Sequence, residues 1–176
     1  MDNNIVISKE QQFGEVIDII LLHKTRATKG VNEELLLTAW HVGGYVSAKL
    51  KCDEWGSKVV SQLSEYIRSQ RPDIKGYSRR SIYNMVMFYE EYSSETFAST
   101  VEKSLNSEFV QTVAAQNGQP LVGQMPKVLE LTTFSNHIEI LCKCKSHEER
   151  LFYILYANKE HLASRELQRC ISNQTY

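Results

Sequence analysis

The stretch SKVVSQLSEYIRSQRPDIKGYSRRSIYNMVMFYEEY, residues 57–92, decides the fold of this chain. Its apolar residues recur every three or four positions, which is the period of a helix that buries one face. Pro72 ends the first run, because the residue before a proline is pushed out of helical geometry. Gly76 closes the turn and Ser78 caps the second run. We therefore predict two helices joined by a Pro/Gly turn, an outline similar to a helix-turn-helix but with a somewhat longer turn.

The same helical period runs through the rest of the 176 residues, so we predict an all-α fold. The expected helices span about 8–28, 32–50, 57–70, 78–92, 104–115, 136–145, 147–158 and 165–173. The residues expected to cap helices are Ser8, Asn32, Ser78, Ser146 and Ser164. Gly43 and Gly44 each cost their helix roughly 1 kcal/mol relative to alanine, so we expect another helix to pack closely against them.

Each of the first four predicted helices has an apolar stripe that should face the core. The stripe of the first helix comprises Phe13, Val16, Ile17, Ile20 and Leu21. The stripe of the second comprises Leu35, Leu36, Ala39, Trp40, Gly43, Val46 and Leu50. The stripes of the next two comprise Val59, Val60, Leu63 and Ile67, and then Ile82, Met85, Val86 and Tyr89.

Composition divides the chain into three parts. We expect a helical part over 1–92, which contains the helix-turn-helix-like pair, and a short helical part over 128–176 that packs on it. Serine, threonine, glutamine and glycine accumulate over 93–127 and predict a polar linker or insertion.

Basic charge is concentrated in one place, although the whole chain has a formal net charge of −1. Residues 57–80 carry six lysines and arginines against two acidic residues, whereas residues 81–108 carry one lysine against five glutamates. The amino terminus has neither the basic start nor the long apolar core of a secretion signal, and no membrane span is expected. We therefore expect a cytoplasmic protein with reduced cysteines.

A nuclease centre of the restriction-endonuclease type needs two separate carboxylates that face one metal ion. The Pro-Asp pair at 72–73 and the Asp-x-Lys at 73–75 share the single carboxylate of Asp73. The flanking helices also leave no sheet to present it. We therefore predict no catalytic residue, no metal ligand and no cofactor in this chain, and no small-molecule substrate is evident.

Cys142 and Cys144 form a Cys-x-Cys pair between His137 and His147, which raises the question of a zinc site. Residues two apart on a helix point about 200° from each other, so the two sulfurs would not meet at one ion. We expect instead that Cys142 packs inward and that Cys144 is partly exposed.

Polar side chains cluster on the helix that begins after Ser78 and on the turn before it. The candidate DNA-contacting residues are Arg79, Arg80, Tyr83 and Asn84 on that helix, and Lys75, Arg71, Arg68 and Lys58 beside it. Arginine and asparagine can each bond a base edge through two atoms, and tyrosine can donate to a phosphate or stack. Double-stranded DNA is the expected partner, and an ordinary solvated helix face is the competing interpretation. A weaker second surface comprises Arg165, Gln168 and Arg169.

Three stretches, WHVGGYV at 40–46 and the segments 55–92 and 137–176, resemble the amino-terminal domain of the YhcG-type family, long catalogued as a domain of unknown function. The resemblance implies a helical DNA-binding domain followed, beyond Tyr176, by a restriction-endonuclease-like domain that holds divalent metal. The chain departs from the family in LTTFSNH near Phe134, which replaces a tryptophan-containing motif, and in a longer 93–127 segment.

The leading hypothesis is a non-catalytic DNA-binding domain of a bacterial nuclease. The first alternative is a protein-interaction or oligomerisation module, in which the apolar and Gly-Gly surfaces of the second predicted helix dock another subunit of a homo-oligomer. The second alternative is a free-standing transcriptional regulator.

Overall fold

The computed structural model of the chain describes the backbone of residues 9–52, 58–105 and 124–176, and the side chains of residues 28–52, 58–104 and 124–176. The α-helices are α1 (Lys9–Lys51), α2 (Val59–Gln70), α3 (Arg79–Tyr92), α4 (Glu95–Leu105), α5 (Phe134–Lys143), α6 (His147–Lys159) and α7 (Ser164–Ser172), and a 3-10 helix spans Lys127–Leu131. These ranges contain no strand, which confirms the prediction of an all-α fold. None of the described helices has the length and apolar character needed to cross a membrane.

The first helix, α1, is one continuous helix of 43 residues, so the prediction of two helices with a cap at Asn32 was wrong. Gly30 costs a helix only about 1 kcal/mol, and no proline interrupts this segment. Asn32 does not cap a helix but donates its amide N–H to the carbonyl oxygen of Thr132 at 3.1 Å. One residue later, Glu33 pairs with Lys127 at 3.6 Å. Both side chains therefore join the middle of α1 to the segment that precedes α5.

Two sequence predictions for the start of α1 lie outside what the structure describes. These are the capping box at Ser8 and the apolar stripe formed by side chains from Phe13 to Leu21.

The helix α3 packs directly against α1 and crosses it at Gly43 and Gly44. A Cβ atom at Gly43 would overlap the carbonyl oxygen of Met85, and one at Gly44 would lie 2.9 Å from Cε2 of Tyr89. The expectation that close helix packing explains the two glycines is confirmed. The helix that occupies this surface is part of the same chain.

The main core lies between α1, α3 and the carboxy-terminal helices. Its most deeply buried side chains are Leu36, Phe88, Tyr92, Phe97, Leu129, Ile140, Tyr153, Ile154 and Leu167. A second, smaller cluster joins α2 to the crossing through Val60, which packs with Val46, Ile82 and Val86. The three predicted stripes that fall on described side chains hold, except that Leu35 is 59% exposed, while Phe88, which was not among the predicted residues, is fully buried.

The segment after α3 is helical at its start, where the sequence suggested a polar linker. Ser94 accepts a hydrogen bond from the backbone N–H of Phe97 at 3.2 Å and so opens α4. Phe97 is fully buried, and its ring lies 4.7 Å from that of Tyr92. The helix α4 was not predicted, and of the helix expected over 104–115 only positions 104 and 105 belong to the described backbone, where they end α4.

The three carboxy-terminal helices match the predicted ones, with one change of cap. Ser146 accepts a hydrogen bond from the backbone N–H of Glu149 at 3.1 Å, as expected for the start of α6. Ser164 is not the cap of α7, because Ala163 occupies that position and the Glu166 carboxylate accepts the Ala163 N–H. The hydroxyl of Ser164 instead donates to Oδ1 of the buried Asn136, at 2.7 Å.

The two cysteines of the Cys-x-Cys pair are placed opposite to the prediction. Cys144 is buried and Cys142 is exposed. The helix α5 ends at Lys143, and Cys144 has extended backbone with φ −86° and ψ 139°, so helical spacing does not apply to it. Burial raises the pKa of the Cys144 thiol to about 12, which keeps it protonated at neutral pH.

A buried histidine holds α3, α5 and the 3-10 helix together. His137 Nε2 lies 2.8 Å from the carbonyl oxygen of Leu129, and Nδ1 lies 3.2 Å from the Tyr92 hydroxyl. A carbonyl oxygen can only accept, so Nε2 carries the proton and Tyr92 donates to Nδ1. Burial lowers the pKa of His137 from 6.5 to about 4, although the Leu129 hydrogen bond opposes the shift. The imidazole is therefore neutral at pH 7.

We predict that Gly43→Ala lowers the free energy of unfolding by about 1–3 kcal/mol, because α1 and α3 must move apart to admit one methyl group. Gly30→Ala in the same helix is the matched control. A Cβ there meets nothing within 4 Å, so it should raise stability by up to about 1 kcal/mol. Urea denaturation of the three proteins would measure both, and equal midpoints for the two variants would contradict the close crossing.

We also predict a pH dependence that belongs to His137. Its pKa is lower in the folded than in the unfolded chain, so its contribution is complete above pH 6.5 and is lost as the pH falls towards 4. The loss amounts to about 3 kcal/mol. His137→Gln removes it, so the stability difference between wild type and variant should shrink by that amount between pH 7 and 4. His41→Gln, at an exposed histidine of α1, is the control, and parallel curves for wild type and His137→Gln would refute the assignment.

Candidate nucleic-acid interface

The turn between α2 and α3 follows directly from the residues predicted to form it. Arg71 donates its N–H to the carbonyl oxygen of Ile67 at 2.8 Å and then leaves the helix, with φ −137° and ψ 71°, ahead of Pro72. The N–H of Ile74 donates to the Arg71 carbonyl oxygen at 3.0 Å, which reverses the chain. The end of α2 at Gln70 is confirmed, whereas its expected first residue, Ser57, lies outside the described residues.

The chain re-enters a helix at a glycine and a serine. Gly76 has φ +97°, a conformation that residues with a Cβ rarely adopt, and nothing lies within 4 Å of its Cβ position. Ser78 caps α3 by accepting the Ser81 N–H at 3.2 Å, as predicted. The connection spans residues 71–78, which is longer than the three- or four-residue turn of a typical helix-turn-helix.

The predicted contact residues separate into two groups by exposure. The side chains of Lys58, Arg68, Arg71, Lys75, Arg79 and Arg80 are exposed, and those of Tyr83 and Asn84 are half-buried. Lys58 lies ten residues before Arg68, about 15 Å away along α2. The structure therefore gathers the basic residues around the turn and leaves Lys58 at the opposite end of α2.

A groove of about 350 Å³ lies between the end of α2, the turn and the start of α3. Its lining includes Arg68 and Lys75, together with Ile67, Ile74 and Ser78. The amino-terminal end of α3 adds a partial positive charge to the same place, because the N–H groups of its first turn point out of the helix. The groove is therefore positive in character, with an apolar floor.

Arg71 and Asp73 form an ion pair within the turn. The guanidinium donates to both carboxylate oxygens, from Nε at 2.9 Å and from Nη2 at 2.7 Å. This hydrogen bond raises the pKa of Arg71 and lowers that of Asp73. Arg71 is thus the one predicted contact residue whose charge is matched by a carboxylate within the turn. This pair was not predicted, although the spacing of two residues between Arg71 and Asp73 is a signal for it.

Arg79 lies along the exposed side of α3. Its guanidinium carbon is 5.4 Å from the centre of the Tyr83 ring, which is the geometry of a cation–π contact between residues one turn apart. The contact restrains the arginine without using up its hydrogen-bond donors. Arg79 therefore presents five N–H groups from an ordered side chain.

The two glutamates at the other end of α3 are engaged in contacts that sequence reasoning missed. Glu90 accepts the Ser47 hydroxyl hydrogen at 2.6 Å and pairs with Lys51 at 3.1 Å. Glu91 binds Arg150 of α6, and the same carboxylate oxygen lies 3.0 Å from Nδ1 of His147 without the alignment of a hydrogen bond. The acidic carboxy-terminal end of α3 is therefore partly neutralised by Lys51 of α1 and Arg150 of α6.

The residues weighed for metal binding do not converge. Asp73 is paired with Arg71, and Cys144 is buried. Both ring nitrogens of His137 form hydrogen bonds, one with the Tyr92 hydroxyl and one with the Leu129 carbonyl oxygen. Across the described ranges, no three side chains of the His, Cys, Asp and Glu types come together as they would around a metal ion. The weaker second surface, on α7, has Arg165, Gln168 and Arg169 exposed as expected.

Comparison with known protein families identifies the family of this chain. A family model described as the DUF1016 N-terminal domain matches residues 15–176, a range that includes the groove and all helices from α2 to α7. No curated protein and no solved structure matches the chain. The family match confirms the resemblance found in the sequence. The chain therefore belongs to the DUF1016 N-terminal domain family.

Proposed function

We propose that this chain is a non-catalytic DNA-binding domain that holds duplex DNA through the groove between α2 and α3. The observation that carries the proposal is the group of exposed basic side chains around that groove, with Arg79 ordered over Tyr83 at the start of α3. The attached activity expected from the family resemblance, a metal-dependent nuclease, is part of the same proposal and needs no catalytic residue in this chain.

Phosphate is the group that this surface suits best. Arg68 and Lys75 line the groove and Arg79 and Arg80 follow it, so several positive charges lie within reach of one DNA backbone. Such contacts release counterions from the duplex and make binding depend steeply on salt. Of the two bulkier polar candidates, Tyr83 contributes by orienting Arg79, while Asn84 is half-buried and has less access to a base edge.

The alternative hypothesis, in which Gly43 and Gly44 dock another subunit, is weakened by the packing of α3. A docking role for Gly43 and Gly44 would require them to be free, and α3 already packs against both. The free-standing regulator hypothesis makes the same use of the groove and differs only in what is attached to the domain.

We predict that Arg79→Ala with Arg80→Ala weakens binding to duplex DNA by about tenfold or more at low salt and reduces the salt slope by about 1–2. Arg165→Ala with Arg169→Ala in α7 is the matched comparison, since it removes the same charge from the weaker second surface and should cost less affinity. Fluorescence anisotropy with a labelled duplex, titrated with salt, would measure both. Absence of wild-type binding at low salt, or equal losses in the two double variants, would overturn the proposal.

We further predict that Asp73→Asn strengthens DNA binding. The substitution removes a negative charge from the edge of the groove and releases Arg71 from its bidentate pair, so the salt slope should steepen by up to about 0.9. Glu65→Gln changes an exposed carboxylate of α2 in the same way but frees no arginine, and it serves as the control. An affinity gain no larger than that of the control would show that Arg71 does not reach the DNA.

A further inference from the structure

Two apolar side chains beside the turn between α2 and α3 are not used by the fold. Ile74 is 39% exposed and Ile67 is half-buried, and neither joins a hydrophobic cluster of the described residues. Both line the groove of about 350 Å³ between the end of α2 and the start of α3. A single exposed aliphatic side chain is ordinary, but two that share one groove are typical of a binding surface.

The same groove carries positive charge. Arg68 and Lys75 are exposed and belong to its lining, and none of the described residues that line it is acidic. The nearby carboxylate of Asp73 is paired with Arg71. The groove therefore suits a ligand that combines an anionic group with an apolar surface.

An aromatic ring and two hydroxyl groups complete the lining. Tyr77 is half-buried and packs against the main core. Ser64 and Ser78 supply hydroxyl groups, each of which can donate and accept a hydrogen bond. Apolar surface with a few polar groups is the composition of a small-ligand site, and the volume lies near the lower end of the usual range of about 300–1,000 Å³.

Fully paired DNA would leave this apolar lining without a partner. The outer surface of a duplex consists of phosphates and sugars, and the faces of its bases are stacked on one another. An unpaired nucleotide differs, because it offers a phosphate together with the free face of a base. Moving a base into a protein pocket also costs least when that base is already unpaired.

We propose that the groove holds the base of one unpaired nucleotide of DNA. The base lies against Ile67, Ile74 and Tyr77, and the cations of Arg68 and Lys75 bind the adjoining phosphates. This inference rests on the proposed function and narrows the preferred substrate to DNA that contains an unpaired nucleotide. At the lower end of the range for one stacked base, the gain in affinity is about fivefold.

Three labelled DNAs of the same sequence test the inference with the wild-type protein. They are a plain duplex, the same duplex with one bulged adenine, and the same bulge with an abasic sugar in place of the adenosine. The abasic bulge keeps the bend and the extra phosphate but has no base. In fluorescence anisotropy, the adenine bulge should bind about fivefold more tightly than the plain duplex, and the abasic bulge should bind as the plain duplex does.

A substitution in the groove should remove this preference. In Ile74→Ser, the ratio of the affinities for the adenine bulge and the plain duplex should fall close to one. Leu35→Ser in α1 is the matched control, because Leu35 is an exposed aliphatic side chain that does not line the groove, and it should keep the wild-type ratio. The comparison of the three DNAs by the wild type decides the matter even if Ile74→Ser fails to fold.

Several results would overturn the inference. Equal affinities of the wild type for the adenine bulge and the plain duplex would do so and leave the proposed function standing, and a groove that accepts an acidic protein partner would give that result. An equal gain with the abasic bulge, or a preference that persists in folded Ile74→Ser, would assign the effect to DNA bending instead. Failure to bind any of the three DNAs would overturn the proposed function as well, whereas binding to the adenine bulge alone would support the inference and contradict binding to plain duplex.

Discussion

The close crossing of α1 and α3 is the constraint on which the rest of the structure depends. Two adjacent glycines bring the helix backbones together, and the ring of Trp40 then packs at 4.9 Å from Tyr89 and 6.1 Å from Phe88. One side of α3 is consumed by this contact. Its first turn can therefore present Arg79 and Arg80 only on the opposite, solvent side, and the position of the candidate interface follows from the position of two residues without side chains.

Charge is distributed along α3 so that the acidic end serves the fold and the basic end faces solvent. A glutamate near the carboxy-terminal end of a helix is unfavourable, because the exposed carbonyl groups there carry partial negative charge. Glu90 and Glu91 occupy that end, and cations from other helices, Lys51 and Arg150, lie against them. The basic residues of the first turn, Arg79 and Arg80, also oppose the local dipole, and among the described residues neither forms an ion pair with a carboxylate. An unfavourable arrangement left without compensation is typical of a site that meets an external anion.

The sequence predicted the elements whose boundaries are set by local chemistry. Pro72, Gly76 and Ser78 act through their own backbone preferences, so the end of α2 and the start of α3 could be placed within a residue. The continuity of α1 could not be predicted in the same way. The Asn32 side chain could either cap a new helix or donate a hydrogen bond to Thr132, and the second choice depends on a residue 100 positions away in the sequence. The exposure of Cys144 was predicted wrongly for a related reason. The helix α5 ends one residue before Cys144, so the angle between residues of a helix does not apply to this side chain.

Within the candidate site, exposure was predictable and pairing was not. The basic side chains are exposed because they lie opposite a clear apolar stripe, but the contact of Arg79 with Tyr83 and the bidentate hold of Asp73 on Arg71 depend on side-chain rotamers in a specific turn.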